Sequence, residues 1–269
     1  VTVHDLGYHY FPKAHGWRQR IYVDWGTRWS VAAATRVIAI SHTTAADLQR
    51  FTGTNAAKIR VVHEGANALP MPTAEAITAV RAHYRLARPY TLYVGTLQPR
   101  KNLVRLITAY EQLCQAGRAD FDLVLGGKAG WLSQEIVERA RQSRQAAAIH
   151  LPGYIADADL PALLAGARLF AFPSLYEGFG LPILEAHQLG VPVMTAKGSS
   201  LPEVAGDAAL YVDPTDVEAI AQAMLRLSQD ETLRQELIAA GYRNVQRFSW
   251  DKAAAETLAV LEEAARQGR

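Results

Sequence analysis

The sequence is short of several things at once, and each shortage closes off a class of function. It has a single cysteine, Cys114, so no internal disulfide can form and a disulfide-stapled extracellular scaffold is excluded. The compartment expected from that usage is the reducing cytoplasm. No stretch reaches the roughly 18 consecutive apolar residues of a membrane-spanning helix, and no basic-then-apolar leader resembles a signal peptide. Charge of one sign is missing too: 28 Lys and Arg face 26 Asp and Glu, a net +2 over 269 residues. That balance gives no broad field for nucleic acid or anionic membrane, so any phosphate site must be built locally. Cys114 itself falls on an apolar stripe, which predicts a packed thiol rather than a nucleophile. Internal repeats and low-complexity segments are absent. The chain opens VTVHDLGYHYF without an initiator methionine, which reads as the interior of a longer protein or a trimmed one.

What is present is a repeating alternation. From Arg88 onward a short apolar run, a Gly or Pro turn and an amphipathic helix recur: YTLYVG, then Leu103, Leu106, Ile107, Tyr110, Leu113 and Cys114 at the three-and-four spacing of one helical face. Asn102 is placed to cap that helix and Gly117 to end it. FDLVLGG, IHLPGY, LFAFPS, VPVMT and LYVDP supply further strands, which predicts an α/β fold with a doubly wound parallel sheet. A weaker version of the pattern fills the first 65 residues. The expected organisation is a partial amino-terminal lobe and link over 1–87, a Rossmann-like lobe over 88–250, and a carboxyl-terminal helix over 251–269. Ligands on such sheets bind beyond the carboxyl ends of the strands, where GTLQPRKN, PGYIADAD and SLYEGFG all fall.

Familiar nucleotide signatures fail. A Walker-type loop would need glycine at Asp122 to pair with Gly127 and Lys128. GFGLPI has two of the three glycines of a dinucleotide fingerprint, with Ile183 at the third place. Hydride transfer is therefore not expected. GTLQPRKN, by contrast, puts Arg100 and Lys101 just before a helix amino end, a combination suited to an anion. The triplets Asp120 to Asp122 and Asp157 to Asp159 could suggest a metal, but strand entry explains Asp122 and helix capping explains Asp159. His63 and His150 flank strand-like runs and read as surface or satisfied core residues. His4 ends a strand ahead of Asp5 and Gly7, where such a lobe displays functional side chains. YEGFGLPILE places Glu177 in a loop and Glu185 on a helix that starts near Pro182, since proline fits best at a first helical position.

Taken together, HDL at 4–6, GTLQPRKN at 95–102, PGYIADADLPALLAGA at 152–167 and FPSLYEGFGLPILEAHQLGVPV at 172–193 resemble family 4 of the glycosyltransferases. SSLPEVAGDAALYVDP and the closing RFSW add to the likeness, which covers essentially the whole chain. The resemblance implies two facing Rossmann-like lobes, the GT-B architecture, and a retaining transfer of a hexose from a nucleotide-diphosphate sugar. HDLGYHYFP and GTLQPRKN look most like bacterial mannosyltransferases of polysaccharide assembly, which favours GDP-mannose, with UDP-glucose next, and a glycan or lipid-linked acceptor. It implies no required cofactor or metal, and peripheral contact with the inner face of a membrane through the acceptor. Glu177 and Glu185 match the family's Glu-x7-Glu pair, for donor-sugar hydroxyls and ribose respectively. Arg100 and Lys101 match the pair that neutralises the diphosphate. Backbone N–H groups near Phe179, Gly180 and Leu181 face sugar and phosphate, Gly95 opens the GTLQPRKN turn, and Tyr154 lies in the base-binding segment. His4 matches the histidine facing the donor sugar, so His4 and Glu177 are the expected catalytic pair. Relatives carry strands ahead of the HD segment, which makes the first lobe here a truncated one. A donor-binding fragment without turnover and another GT-B enzyme, such as a sugar-nucleotide epimerase, are the alternative readings. His187 stands where many relatives have an apolar residue, and it receives no role.

Overall fold

The computed structural model describes residues 1–14 and 16–267. Two parallel sheets organise them. The first sheet comprises β1 (Thr2–Val3), β2 (Val37–Ala39) and β3 (Ile59–Val61), in the order β1-β2-β3. Its connections carry α1 (Gly7–Tyr10), α2 (Trp17–Ala33) and α3 (His42–Asp47), and α4 (Ala74–His83) lies on the link to the second sheet.

The second sheet has six strands: β4 (Tyr90–Val94), β5 (Asp122–Gly126), β6 (Ile149–Gly153), β7 (Leu169–Phe172), β8 (Val193–Ala196) and β9 (Ala209–Val212). Crossovers α5 (Leu103–Gln115), α6 (Gln134–Gln142), α7 (Leu160–Ala165), α8 (Leu181–Gln188) and α9 (Leu201–Ala205) join them, and α10 (Val217–Gln229), α11 (Glu231–Val245) and α12 (Trp250–Gln267) follow. Its inner strands read as unbroken apolar runs because helices cover both faces: Leu92, Leu123, Val124, Phe170, Phe172, Val193 and Met194 are all fully buried.

Strand order is what positions the site. It runs β6-β5-β4-β7-β8-β9, so the chain winds outward from β4 on one side and, after β6, returns to lay β7 on the other. The loops leaving β4 and β7 therefore diverge and open a crevice at their carboxyl ends, the switch point where ligands sit on such sheets. GTLQPRKN leaves β4 and SLYEGFG follows β7.

Helix α5 buries the expected face, Leu103, Leu106, Ile107, Tyr110 and Leu113, with Cys114 half-buried; burial raises the pKa of that thiol, in keeping with a packed side chain. Gly117, at φ 68°, ends the helix as expected. The two expected caps are different. Asn102 has a left-handed backbone and makes no cap bond; its amide donates to Pro173 O at 3.1 Å and Pro214 O at 2.6 Å, tying together the loops after β7 and β9. Asp159 already has helical backbone angles, which turn its carboxylate away from the cap position. It accepts from the Tyr84 hydroxyl instead, at 2.9 Å.

The last helix returns to the first sheet. Ala253 and Val260 of α12 pack with Ile38 and Val62, and Glu263 accepts from Arg36 at 2.9 Å and Arg60 at 2.6 Å. No helix among the described residues is long and apolar enough to cross a membrane.

Candidate active site

The β4 loop forms a 3-10 turn over Pro99–Lys101, which delivers two neighbouring cations to the crevice. Both converge on Glu177. Arg100 Nη1 donates to Glu177 Oε2 at 2.6 Å and to Tyr176 O at 2.9 Å, and Lys101 Nζ donates to Glu177 Oε1 at 2.5 Å. Glu177 and Lys101 are buried, 6% and 8% exposed. Burial pushes the Glu177 carboxyl up, but Lys101 and Arg100 together outweigh it and hold the group below the usual carboxylate range. Burial, helped by the charge of Arg100, draws the Lys101 ammonium down despite its carboxylate partner. Two cations thus share the Glu177 carboxylate, with the charge of Asp5 also acting on Lys101, and an incoming anion can compete with Glu177 for them.

The backbone around Glu177 is bare for two separate reasons. A Cβ on Gly178 would stand 2.3 Å from His4 O and 2.8 Å from the Asp5 Cβ, so glycine is what lets this loop close against the HD turn of the other lobe. Gly180, at φ 126°, makes the turn into α8 in a conformation that side chains avoid. Leu181 and Pro182 follow at the first helical positions. The amides at this end lack intrahelical acceptors, and the helix dipole adds partial positive charge beside Arg100 and Lys101. The Phe179 ring is buried, its centroid 5.7 Å from that of Phe248.

Two serines absent from the expected set hold the loop. Ser199 Oγ accepts from Glu177 N at 2.8 Å and also bonds Glu177 O. The Ser200 hydroxyl reaches Glu177 O at 2.9 Å and Phe179 O at 2.6 Å. Tyr176 braces the loop against the first lobe through Asp47 Oδ2 at 2.7 Å. The SSLPEVAG segment was the available signal, since two hydroxyls ahead of a helix suit backbone capping.

Glu185 sits on α8, half-buried. Asn67, on the interlobe link, donates to its Oε1 at 3.2 Å. Burial raises its pKa and the Asn67 bond offsets that in part. The two glutamates thus differ in kind: Glu177 is locked between cations, and Glu185 faces one amide and retains acceptor capacity. His4 reaches Glu64 through Nδ1 at 3.1 Å with its side chain 70% exposed. Gly95 directly follows β4 and donates its N–H to Gly126 O at 3.0 Å. Tyr154 stands at the end of β6, exposed, its hydroxyl donating to Asp157 at 2.9 Å and its ring 4.5 Å from Lys128 Nζ. A cleft of about 370 Å³ between the lobes is lined by Asp5, Gly7 and Tyr8 on one side and by Gln98, Arg100 and Trp131 on the other.

The acidic triplets are occupied by protein partners: Asp122 by Arg88 and His150, Asp120 by Arg168, Asp157 by Tyr154 and Asp159 by Tyr84. His187, which had no assigned role, is 1% exposed. Its Nε2 bonds Ala208 O at 3.0 Å and its Nδ1 meets the Asn244 amide at 3.2 Å. It anchors the helix that carries Glu185.

Residues 81–244 match the family described as Glycosyl transferases group 1, and residues 1–68 match Glycosyltransferase Family 4. The O-antigen chain mannosyltransferase B of Escherichia coli is 34% identical over 260 residues, covering 96% of this chain and 68% of that protein. A D-inositol 3-phosphate glycosyltransferase of Salinispora tropica is 33% identical over 260 residues, covering 89% of this chain and 53% of its own length. The chain thus spans about half to two-thirds of these two relatives, and 22% of the serotype-specific mannosyltransferase WbdA of Escherichia coli. Among solved structures, the sucrose-phosphate synthase of Thermosynechococcus elongatus superposes with a TM-score of 0.80 at 26% identity, over 99% of this chain and 67% of that one. Anabaena HepE in complex with UDP and glucose also gives 0.80, at 22% identity over 97% of this chain and 71% of its own, a likeness of fold. With the GT-B arrangement of its sheets and family matches over both lobes, the chain belongs to the group 1, family 4 glycosyltransferases.

Proposed function

We propose that this chain binds a nucleoside-diphosphate hexose across the β4/β7 switch point and transfers the hexose, with retention of configuration, to a glycan or lipid-linked acceptor. The observation that carries the reading is the Arg100–Lys101–Glu177 cluster, a buried site with two cations for one carboxylate. The donor's diphosphate pairs with Arg100, Lys101 and the amides at the start of α8. Glu177, released in part from its cations, turns an oxygen to the sugar hydroxyls, while Glu185 accepts from the ribose. His4 approaches the sugar from the other lobe, on a strand end held against Gly178. Breaking the anomeric bond builds positive charge on the ring and negative charge on the departing diphosphate, and fixed positive groups aimed at that diphosphate stabilise the separation. The leaving phosphate, on the same face as the acceptor, accepts the acceptor's proton. Cations and amides suffice for the phosphates, so no metal enters this step. The mannosyltransferase relatives favour GDP-mannose as donor, with UDP-glucose next.

A second reading keeps the donor site and removes turnover. The first sheet's three strands are two or three residues each, a slender base for holding an acceptor.

Calorimetric titration with GDP, UDP, ADP and their sugars in EDTA tests the assignment. GDP and GDP-mannose are expected to bind, and Lys101→Met to weaken both by about tenfold or more, the loss of one charge-assisted bond. Unchanged affinity in that variant, or complete loss of binding on chelation, would overturn the metal-free cation site. Single-turnover transfer by the same protein separates the two readings: binding with negligible transfer supports the second.

A further inference from the structure

Away from the cation cluster, two imidazoles of the first lobe converge on one carboxylate of the second. His42 opens α3, His63 follows β3, and Glu203 lies on α9; their donor atoms all fall within 4.8 Å of one another. His63 Nε2 is 2.6 Å from Glu203 Oε1. The backbone N–H of His42 donates to both Glu203 oxygens, at 2.9 and 3.0 Å, and so fixes the carboxylate beside the histidines. The two imidazole rings meet edge to face with centroids 6.0 Å apart. Donor binding as described above uses none of the three side chains.

We propose that His42, His63 and Glu203 form a binding site for a divalent transition-metal ion of the zinc class, bridging the two lobes. The donor set selects the ion: two imidazole nitrogens and one carboxylate oxygen suit Zn²⁺, whereas Mg²⁺ and Ca²⁺ favour oxygen throughout. Bonds of about 2.0 to 2.2 Å in a tetrahedron place neighbouring ligand atoms about 3.4 Å apart. The His63–Glu203 contact therefore opens by less than 1 Å, and the exposed His42 ring turns inward. Three protein ligands leave the fourth position for water.

The location ties the ion to the loop that carries Glu177. Glu203 lies just beyond Ser199 and Ser200, whose hydroxyls hold the Glu177 and Phe179 backbone, and the His63 ring is 5.9 Å from that of Phe179. An ion held by both lobes restrains α9, and with it those serines.

Zinc titration of the chelator-stripped protein near neutral pH, followed by calorimetry and thermal unfolding, tests the site; cobalt substitution, read as visible absorption, reports its geometry. The expected result is one equivalent of zinc, a raised Tm and the strong visible bands of four-coordinate cobalt. His42→Ala and Glu203→Gln should each lower zinc affinity by more than about 100-fold, beyond what loss of a mere supporting hydrogen bond causes. His150→Ala, whose imidazole rests on Asp122, should leave zinc affinity unchanged. No uptake by the unaltered chain, or undiminished affinity in His42→Ala, overturns the proposal. His42 is exposed, so that variant remains decisive even if substitution of Glu203 impairs folding.

Discussion

His187 offers a direct measure of how α8 is held. Its ring is buried and neutral, with its pKa lowered to about 4 by burial. The folded value lies below the unfolded one, so the unfolded chain binds the proton more tightly and stability falls as pH drops from about 6.5 towards 4. The separation is about 2.5 pKa units, and at 1.36 kcal/mol per unit the full effect is about 3 kcal/mol, of which about 2.5 is expressed by pH 4.5. Other groups titrate in the same window, so the wild type alone cannot report this. His187→Leu isolates it. The substitution leaves the Asn244 amide and Ala208 carbonyl without their partner, costing about 1 to 3 kcal/mol at any pH. Urea unfolding of both proteins at pH 7 and pH 4.5 gives four free energies, and their double difference cancels that constant cost. Wild type should lose about 2.5 kcal/mol more than the variant on acidification. Equal losses would show that the ring is not held neutral in the fold and that its contacts do not anchor α8 as described.

Two further outcomes follow from the loop. Glu185→Gln should weaken free GDP and GDP-mannose alike, because the ribose is common to both, whereas Glu177→Gln should weaken the sugar nucleotide and leave GDP at least as tightly bound, since a competitor for the two cations is gone; equal losses for free GDP by calorimetry contradict the division of roles. Gly178→Ala should destabilise the protein by about 1 to 3 kcal/mol through overpacking against His4 and slow any transfer, measured by urea unfolding and single-turnover assay; a neutral effect would mean that the loop does not depend on that close approach.

The six-stranded half was readable because its signals are local. Each strand is a continuous apolar run and each crossover helix repeats an apolar face, so YTLYVG and the α5 stripe declare themselves without knowledge of neighbours. The first half hides its packing for a physical reason. Helix α2 buries Val31 and exposes Trp17, Ile21, Trp25 and Trp29: the apolar row at four-residue spacing marks a helix, but it faces away from the core and so gives no guide to how the lobe packs. The misplaced caps have another cause: Asn102 and Asp159 are taken by long-range partners, Pro214 and Tyr84, that local spacing cannot foresee. In the site, motif and position indicated Arg100, Lys101, Glu177 and Glu185. Asn67 and Glu64 went unseen because each meets its partner, Glu185 or His4, across at least 60 residues of chain.

The pairing within the cluster also explains why two glutamates eight residues apart need such different settings. Removing one partner from a buried ion pair costs about 3 to 5 kcal/mol, because the remaining charge is left without compensation. On the proposed donor site, a lone Arg100–Lys101 pair beneath the β7 loop would meet that cost in the donor-free state. Glu177 supplies an internal anion for that state, and its lowered pKa keeps it charged at neutral pH. Among the described residues no cation pairs with Glu185, so burial, offset only by the Asn67 bond, raises its pKa. The same residue type is thereby a counter-ion in the loop and an open acceptor on the helix. The switch between them is made at Gly180 and Pro182, where the chain changes from a clamped turn to a helix, and lengthening that junction by one residue would rotate Glu185 by about 100° away from Asn67.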